Sequence, residues 1–459
     1  MSRAVAIISC TVAAIVTAAT VGCGARTMPT PLVFRAGASS DARTVLTDVS
    51  RDLDLSATQA TGDVLYATDR RPKMRGDEVR GYGAARGITM RFGLATVRLG
   101  RSGSTVDEVT QAIAENDRLR LSIERMTEFG EYWRTIPVSD DRYPGRGVEP
   151  PADDPIRDAE RRFVGEIDTR LAGARRVLIY VPGFNTSFES LVYYAAEFAF
   201  YLHGNAVPIA FSWPARSTPL GYPKQVTNAT VSVRALRELI LLIANESDAE
   251  RIDILSYSAG APIVSDALHQ LRLMHADLDR DELRERLRIG VVIFAGADED
   301  LDRFRNFYLD GFEDVAERVT LYSSRRDIGL TLSQLFVRGS PRLGKVAGDL
   351  APSEQVLLSD FGSTTDVIDV GYAQRRAGGG DIFSHGYWFG NPWVSSDVIA
   401  QLRFQEPPPP HARGLNRLSE HREDRSPVWR FPDDYPQQID EVFSSAPLAP
   451  ARPSTESRR

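Results

Sequence analysis

The feature that most constrains this chain is an alternation, from about Glu160 to Arg403, of short apolar runs with helical stripes. The runs are Val177–Val181, Val207–Phe211, Ile252–Leu255, Ile289–Ala295, Val319–Tyr322 and Val367–Val370. Runs of this kind read as strands buried on both faces of a parallel sheet. Between them Leu191, Tyr194, Ala195 and Phe198 fall at i, i+3, i+4 and i+7, as do Leu236, Leu239, Ile240 and Ile243. Parallel strands need crossover helices, and these stripes supply them.

Other zones flank this one. Val64–Ala67, Ile88–Leu99 and Leu119–Ile123 read as strands of an N-terminal β-containing extension over 57–155, which closes in the Pro-, Gly- and Asp-rich stretch 140–155. The α/β domain occupies 156–404. The segment 405–459 is Pro-rich; Trp429, Phe431 and Tyr435 suggest that part of it packs back, and from about Ser444 its composition is that of a disordered tail.

Residues 1–23 have the shape of a signal peptide: Arg3, an apolar run from Ala4 to about Val16, then small residues up to Cys23. The ending Thr20-Val21-Gly22-Cys23 resembles a bacterial lipoprotein signal, with Cys23 as the lipidated residue and 24–56 as tether and entry segment. Each buried acyl CH₂ contributes roughly 0.8 kcal/mol, so several chains would hold the protein at a membrane. The expected location is therefore the cell envelope, on the periplasmic or extracellular face; plain secretion is the alternative.

Cys10 and Cys23 are the only two cysteines and the six histidines lie far apart, so neither a zinc motif nor a disulfide framework is expected. Net charge is −7 and the basic residues are scattered, which argues against a nucleic-acid partner.

The chemistry gathers at three strand ends. In Ile252-Asp-Ile-Leu-Ser-Tyr-Ser258-Ala-Gly260 a serine among small residues joins a strand to a helix whose apolar face is Ile263, Val264, Ala267, Leu268 and Leu271. This is the nucleophile-elbow arrangement of α/β-hydrolases, in the form S-x-S-x-G with Ser256 where glycine is usual. The helix N-terminus beneath Ser258 favours an oxyanion; the plainer reading of Ser258 is a helix cap. In Val177–Thr186 a strand ends in Pro182-Gly183-Phe184-Asn185, where this fold places one oxyanion N–H. Phe184 and Ala259 are thus the expected oxyanion donors, with Asn185, Thr186 or Ser187 available as a helix cap.

Chain order in this fold is Ser, acid, His. Among the histidines only His385 follows a late strand by a loop; its alternative is a surface residue in a Gly-rich loop. Asp327, just past Val319–Tyr322, fits the acid, with Asp298 as competitor and otherwise as a site-lining or structural residue. Trp213 either lines the acyl pocket or covers the sheet end, and Tyr257 and Asn185 are further candidates for the lining.

Taken together, Val64–Arg70, Gly183–Glu189, Phe211-Ser-Trp-Pro214, Val319–Asp327 and His385-Gly-Tyr resemble a bacterial α/β-hydrolase family of unknown function whose members are commonly assigned as esterases or lipases. The resemblance runs from about Val64 to about Leu402. It departs at Pro182 and Gln225, where the family usually has His and Asp, and in Tyr257-Ser258-Ala259-Gly260, where a His-Ser-Met-Gly elbow is usual. It implies an α/β-hydrolase fold, a mostly parallel sheet flanked by helices. The expected reaction is hydrolysis of a carboxylic ester through an acyl-enzyme on Ser258, which needs no metal or organic cofactor, and the short connections between strands favour a small ester. Amide or thioester cleavage would use the same residues. The rival is a hydrolase-like domain with a degenerate site that binds an envelope ligand or partner.

Overall fold

The computed structural model describes Pro31, Phe34 and residues 61–445, apart from 118, 135–154, 172–174, 203, 216–221, 338–340, 348–357, 359–360, 378–383, 405 and 418–427. The leader with Cys23, the connector at 140–154 and the tail from 446 lie outside the described residues.

Six strands follow the apolar runs: β4 (Arg176–Val181), β5 (Val207–Ser212), β6 (Arg251–Tyr257), β7 (Ile289–Ala295), β8 (Arg318–Ser323) and β9 (Thr365–Asp369). They pair parallel in the order β5-β4-β6-β7-β8-β9. Alternate residues serve opposite layers. Val177, Ile179, Val181, Ile252 and Ile254 pack under the helices Pro155–Arg170, Tyr222–Glu246 and Ala261–Met274. Leu178, Tyr180, Leu255, Val291 and Ile293 pack under Phe188–Leu202, Pro392–Arg403 and Tyr435–Ser445. Period-two burial with apolar residues on both faces is why these strands read as unbroken runs.

The flanking zones add strands at both edges of this sheet. β1 (Thr61–Arg75), β2 (Glu78–Leu99) and β3 (Leu121–Arg134) extend the same sheet, β1 lying parallel to β5 through Leu65–Thr68 against Ile209–Ser212. At the far edge β11 (Val428–Arg430) lies parallel to β9 and pairs with β10 (Asn416–Arg417), so the aromatic residues of the C-terminal segment belong to a sheet edge. Strands from both sides of 155 and 404 thus share one sheet.

Phe34 is fully buried at the C-terminal ends of two helices, with its ring 5.1 Å from that of Tyr201 and 5.8 Å from the Arg403 guanidinium carbon. Those helices begin near the strands' carboxyl edge, so Phe34 docks at the opposite end of the molecule.

Candidate active site

β6 ends at Tyr257, and a single 3-10 turn, Ser258–Gly260, leads into the Ala261–Met274 helix. Ser258 has φ +51°, the left-handed region that a residue with a Cβ avoids. Neighbours hold it there. The Asp298 N–H donates to the Ser258 carbonyl at 3.1 Å. A Cβ on Gly260 would sit 2.7 Å from the carbonyl oxygens of Val181 and Pro182, so only glycine fits two residues after the serine. Ser256, in place of the usual glycine two residues before, turns its hydroxyl into the sheet and donates to the Ile293 carbonyl at 3.2 Å. The S-x-S-x-G departure is thereby accommodated without crowding the turn.

Three side chains converge on this elbow. His385 Nε2 lies 2.7 Å from Ser258 Oγ, and His385 Nδ1 lies 2.7 Å from Asp327 Oδ2. The imidazole is 16% exposed and the carboxylate fully buried. Asp327 does two jobs: its other oxygen accepts the Leu330 N–H at 2.8 Å, capping the helix Ile328–Val337. Both readings of a strand-end aspartate, cap and histidine partner, hold for this residue at once.

The histidine loop is fixed from several sides. Gln374 Nε2 donates to the Ser384 carbonyl at 3.0 Å, and the Tyr387 hydroxyl donates to the Tyr322 carbonyl at 2.8 Å. A Cβ on Gly329 would sit 2.9 Å from His385 Cγ, so this glycine makes room for the ring. Sequence reading missed Gln374, Gly329 and Tyr387. Only Tyr387 carried a signal, as part of His385-Gly-Tyr.

The loop after β4 abuts the elbow: a Cβ on Gly183 would come within 2.8 Å of Ser258 Cβ. Phe184 follows, half-buried, at the start of a turn. Asn185 adopts φ +55°, a conformation asparagine tolerates better than most, and its N–H donates to the Ala215 carbonyl at 2.7 Å. Asn185 therefore shapes the loop, while Ser187 caps the next helix through the Ser190 N–H at 3.1 Å.

Asp327 is the carboxylate hydrogen-bonded to the histidine. Asp298 takes a structural place: Ser333 Oγ donates to both its oxygens, at 2.7 and 2.8 Å, and Arg342 Nε lies 3.3 Å away. It braces the helix that Asp327 caps. Trp213 does not line a pocket, because it has no exposed surface; its indole N–H donates to the Pro182 carbonyl at 2.8 Å, behind the loop. Tyr257, half-buried, does face the site, its ring centroid 5.1 Å from that of His385 and 5.6 Å from Phe389.

Among the described residues no group of His, Cys, Asp and Glu is arranged to hold a metal ion, and no helix is long and apolar enough to cross a membrane. A family model described as "Alpha/beta hydrolase of unknown function (DUF900)" matches residues 159–402, more than half of the 459. No curated protein matches the chain.

Proposed function

From the premise that the chain belongs to this α/β-hydrolase family of unknown function, we propose that it is a serine hydrolase that cleaves a small carboxylic ester through an acyl-enzyme. The observation that carries this reading is the unbroken relay Asp327–His385–Ser258, with both contacts at 2.7 Å and the serine held in the elbow conformation. His385 Nε2 takes the Ser258 proton as Oγ attacks the ester carbonyl, then delivers it to the departing alcohol. Asp327 holds the Nδ1–H tautomer and stabilises the imidazolium. The Phe184 and Ala259 amides receive the oxyanion, each such donor being worth roughly 3 kcal/mol. Water, deprotonated by the same histidine, then releases the acid and restores Ser258. Cys23, outside the described residues, is proposed to carry lipid that anchors the protein in the cell envelope.

The experiment is to treat the purified mature protein with a fluorophosphonate probe and to assay short p-nitrophenyl esters. One added probe mass on the wild type, none on Ser258→Ala, and turnover that disappears with the same substitution are expected. A folded wild type that neither labels nor turns over excludes the reading. Intact-mass analysis of the membrane fraction tests the anchor, since Cys23→Ser removes any acyl mass.

A further inference from the structure

The loop from Pro182 to Ser187 must hold the Phe184 amide steady if that amide is to meet an oxyanion. Its main-chain carbonyls are gripped at both ends. Trp213, just past β5, takes the Pro182 carbonyl at 2.8 Å. The Thr186 carbonyl is taken by Arg70 Nη2 at 2.7 Å. Arg70 belongs to β1, outside the residues matched by the family model. It is 1% exposed, and its Nη1 donates to the Gly83 carbonyl of β2 at 3.2 Å. Its own position is locked in turn: Thr68 Oγ1 donates to the Ser212 carbonyl at 2.7 Å and accepts the Arg70 N–H at 3.2 Å. Thr186 also turns back on the loop, its hydroxyl donating to the Gly183 carbonyl at 3.1 Å.

A charged donor on a buried carbonyl is a strong and directional contact. Burying a guanidinium is costly unless it is hydrogen-bonded and paired; the Gly83 and Thr186 carbonyls and the charge of the neighbouring Asp69 carboxyl offset that cost here and hold the group in one place. We propose that Arg70 is a positioning residue for the oxyanion loop, reaching from the N-terminal strands to set the Phe184 N–H through the Thr186 carbonyl. The N-terminal extension is on this view part of the catalytic framework. The inference rests on the serine-hydrolase reading above.

The full mature chain is compared with Arg70→Lys and Arg70→Met. Active sites are titrated with fluorophosphonate, so that kcat is expressed per folded, labelled molecule. For Arg70→Met, kcat should fall roughly ten- to a hundredfold with KM little changed, because only interactions made in the transition state are lost. Affinity for a trifluoromethyl ketone, whose adduct places an oxyanion in the same hole, should fall by a similar factor. Arg70→Lys keeps a charge that reaches one carbonyl, so its kcat should lie between the two; it also serves if Arg70→Met fails to fold. A merely structural Arg70 would lower Tm but leave kcat per titrated site and ketone affinity unchanged, and that result overturns the proposal. A wild type inert to probe and ester removes the serine-hydrolase reading and this inference with it, whereas an active wild type matched by both variants removes this inference alone.

Discussion

Ser258 sits where its own backbone preference would not put it, and the elbow around it supplies the constraint. A glycine has no Cβ to strain at φ +51°, so Ser258→Gly should be more stable than Ser258→Ala by about 1 kcal/mol, reversing the order found in helices and strands. Chemical denaturation of the two inactive variants measures the difference. Asp327→Asn should lower kcat by about 10⁴ with little effect on KM, because an amide holds the wrong imidazole tautomer; steady-state kinetics reads this. Asp69 lies on β1 next to Arg70, with the Ser232 hydroxyl donating to it at 2.5 Å. Burial pushes its carboxyl up from 3.8 to about 6. A raised folded-state pKa means that the native state holds the proton more tightly than the unfolded chain. The resulting stabilisation is full below about pH 4 and is lost as pH rises through 6. Asp69→Asn should therefore gain on the wild type between pH 4 and 6 and keep that gain at pH 8, as thermal melts across the range would show. At this scale the three residues that meet at the elbow were legible, Ser258 and Asp327 because each closely follows a strand and His385 because it lies beyond the last apolar run in the chain order of this fold. Gly329 and Gln374, which seat His385, were not, because steric room and loop anchoring leave no periodic trace.

The six central strands announced themselves because burial on both faces makes them continuous apolar runs. β10 and β11 did not: two or three residues are too few to show a period, and they are fixed by what surrounds them. Trp429 Nε1 donates to Asp366 on β9 at 2.9 Å. Arg413, fully buried, pairs with Asp397 of the Pro392–Arg403 helix at 2.8 Å, and the Tyr322 hydroxyl of β8 donates to the same carboxylate at 2.5 Å. Besides its pairing with β9, the C-terminal segment is thus tied to the Pro392–Arg403 helix through a buried charge pair. Arg413→Met should cost about 3–5 kcal/mol by leaving Asp397 buried without its cation. The double variant Arg413→Met, Asp397→Leu should recover much of that, which a denaturant double-mutant cycle would reveal.

Over the whole molecule, strands from near both chain ends complete the one sheet, and contacts such as Thr68 to Ser212 span 144 positions. Pairing across such separations is slow to form. Refolding from denaturant should accordingly be far slower than that of a helical protein of equal length, as stopped-flow fluorescence would report. The extension read as a separate zone because its strands alternate while the central ones do not; that its first strand joins β5 could not be seen in local pattern. β1 runs parallel to β5, so the chain enters it at the end away from Ser258, and Phe34 is seated at that same end. Were Cys23 acylated as proposed, the Ser258 elbow would look outward from the bilayer that holds the protein, like a lamp on its post. Esters dissolved in the surrounding medium would then outcompete identical esters embedded in the anchoring leaflet, a preference that vesicles carrying the lipidated protein could weigh directly.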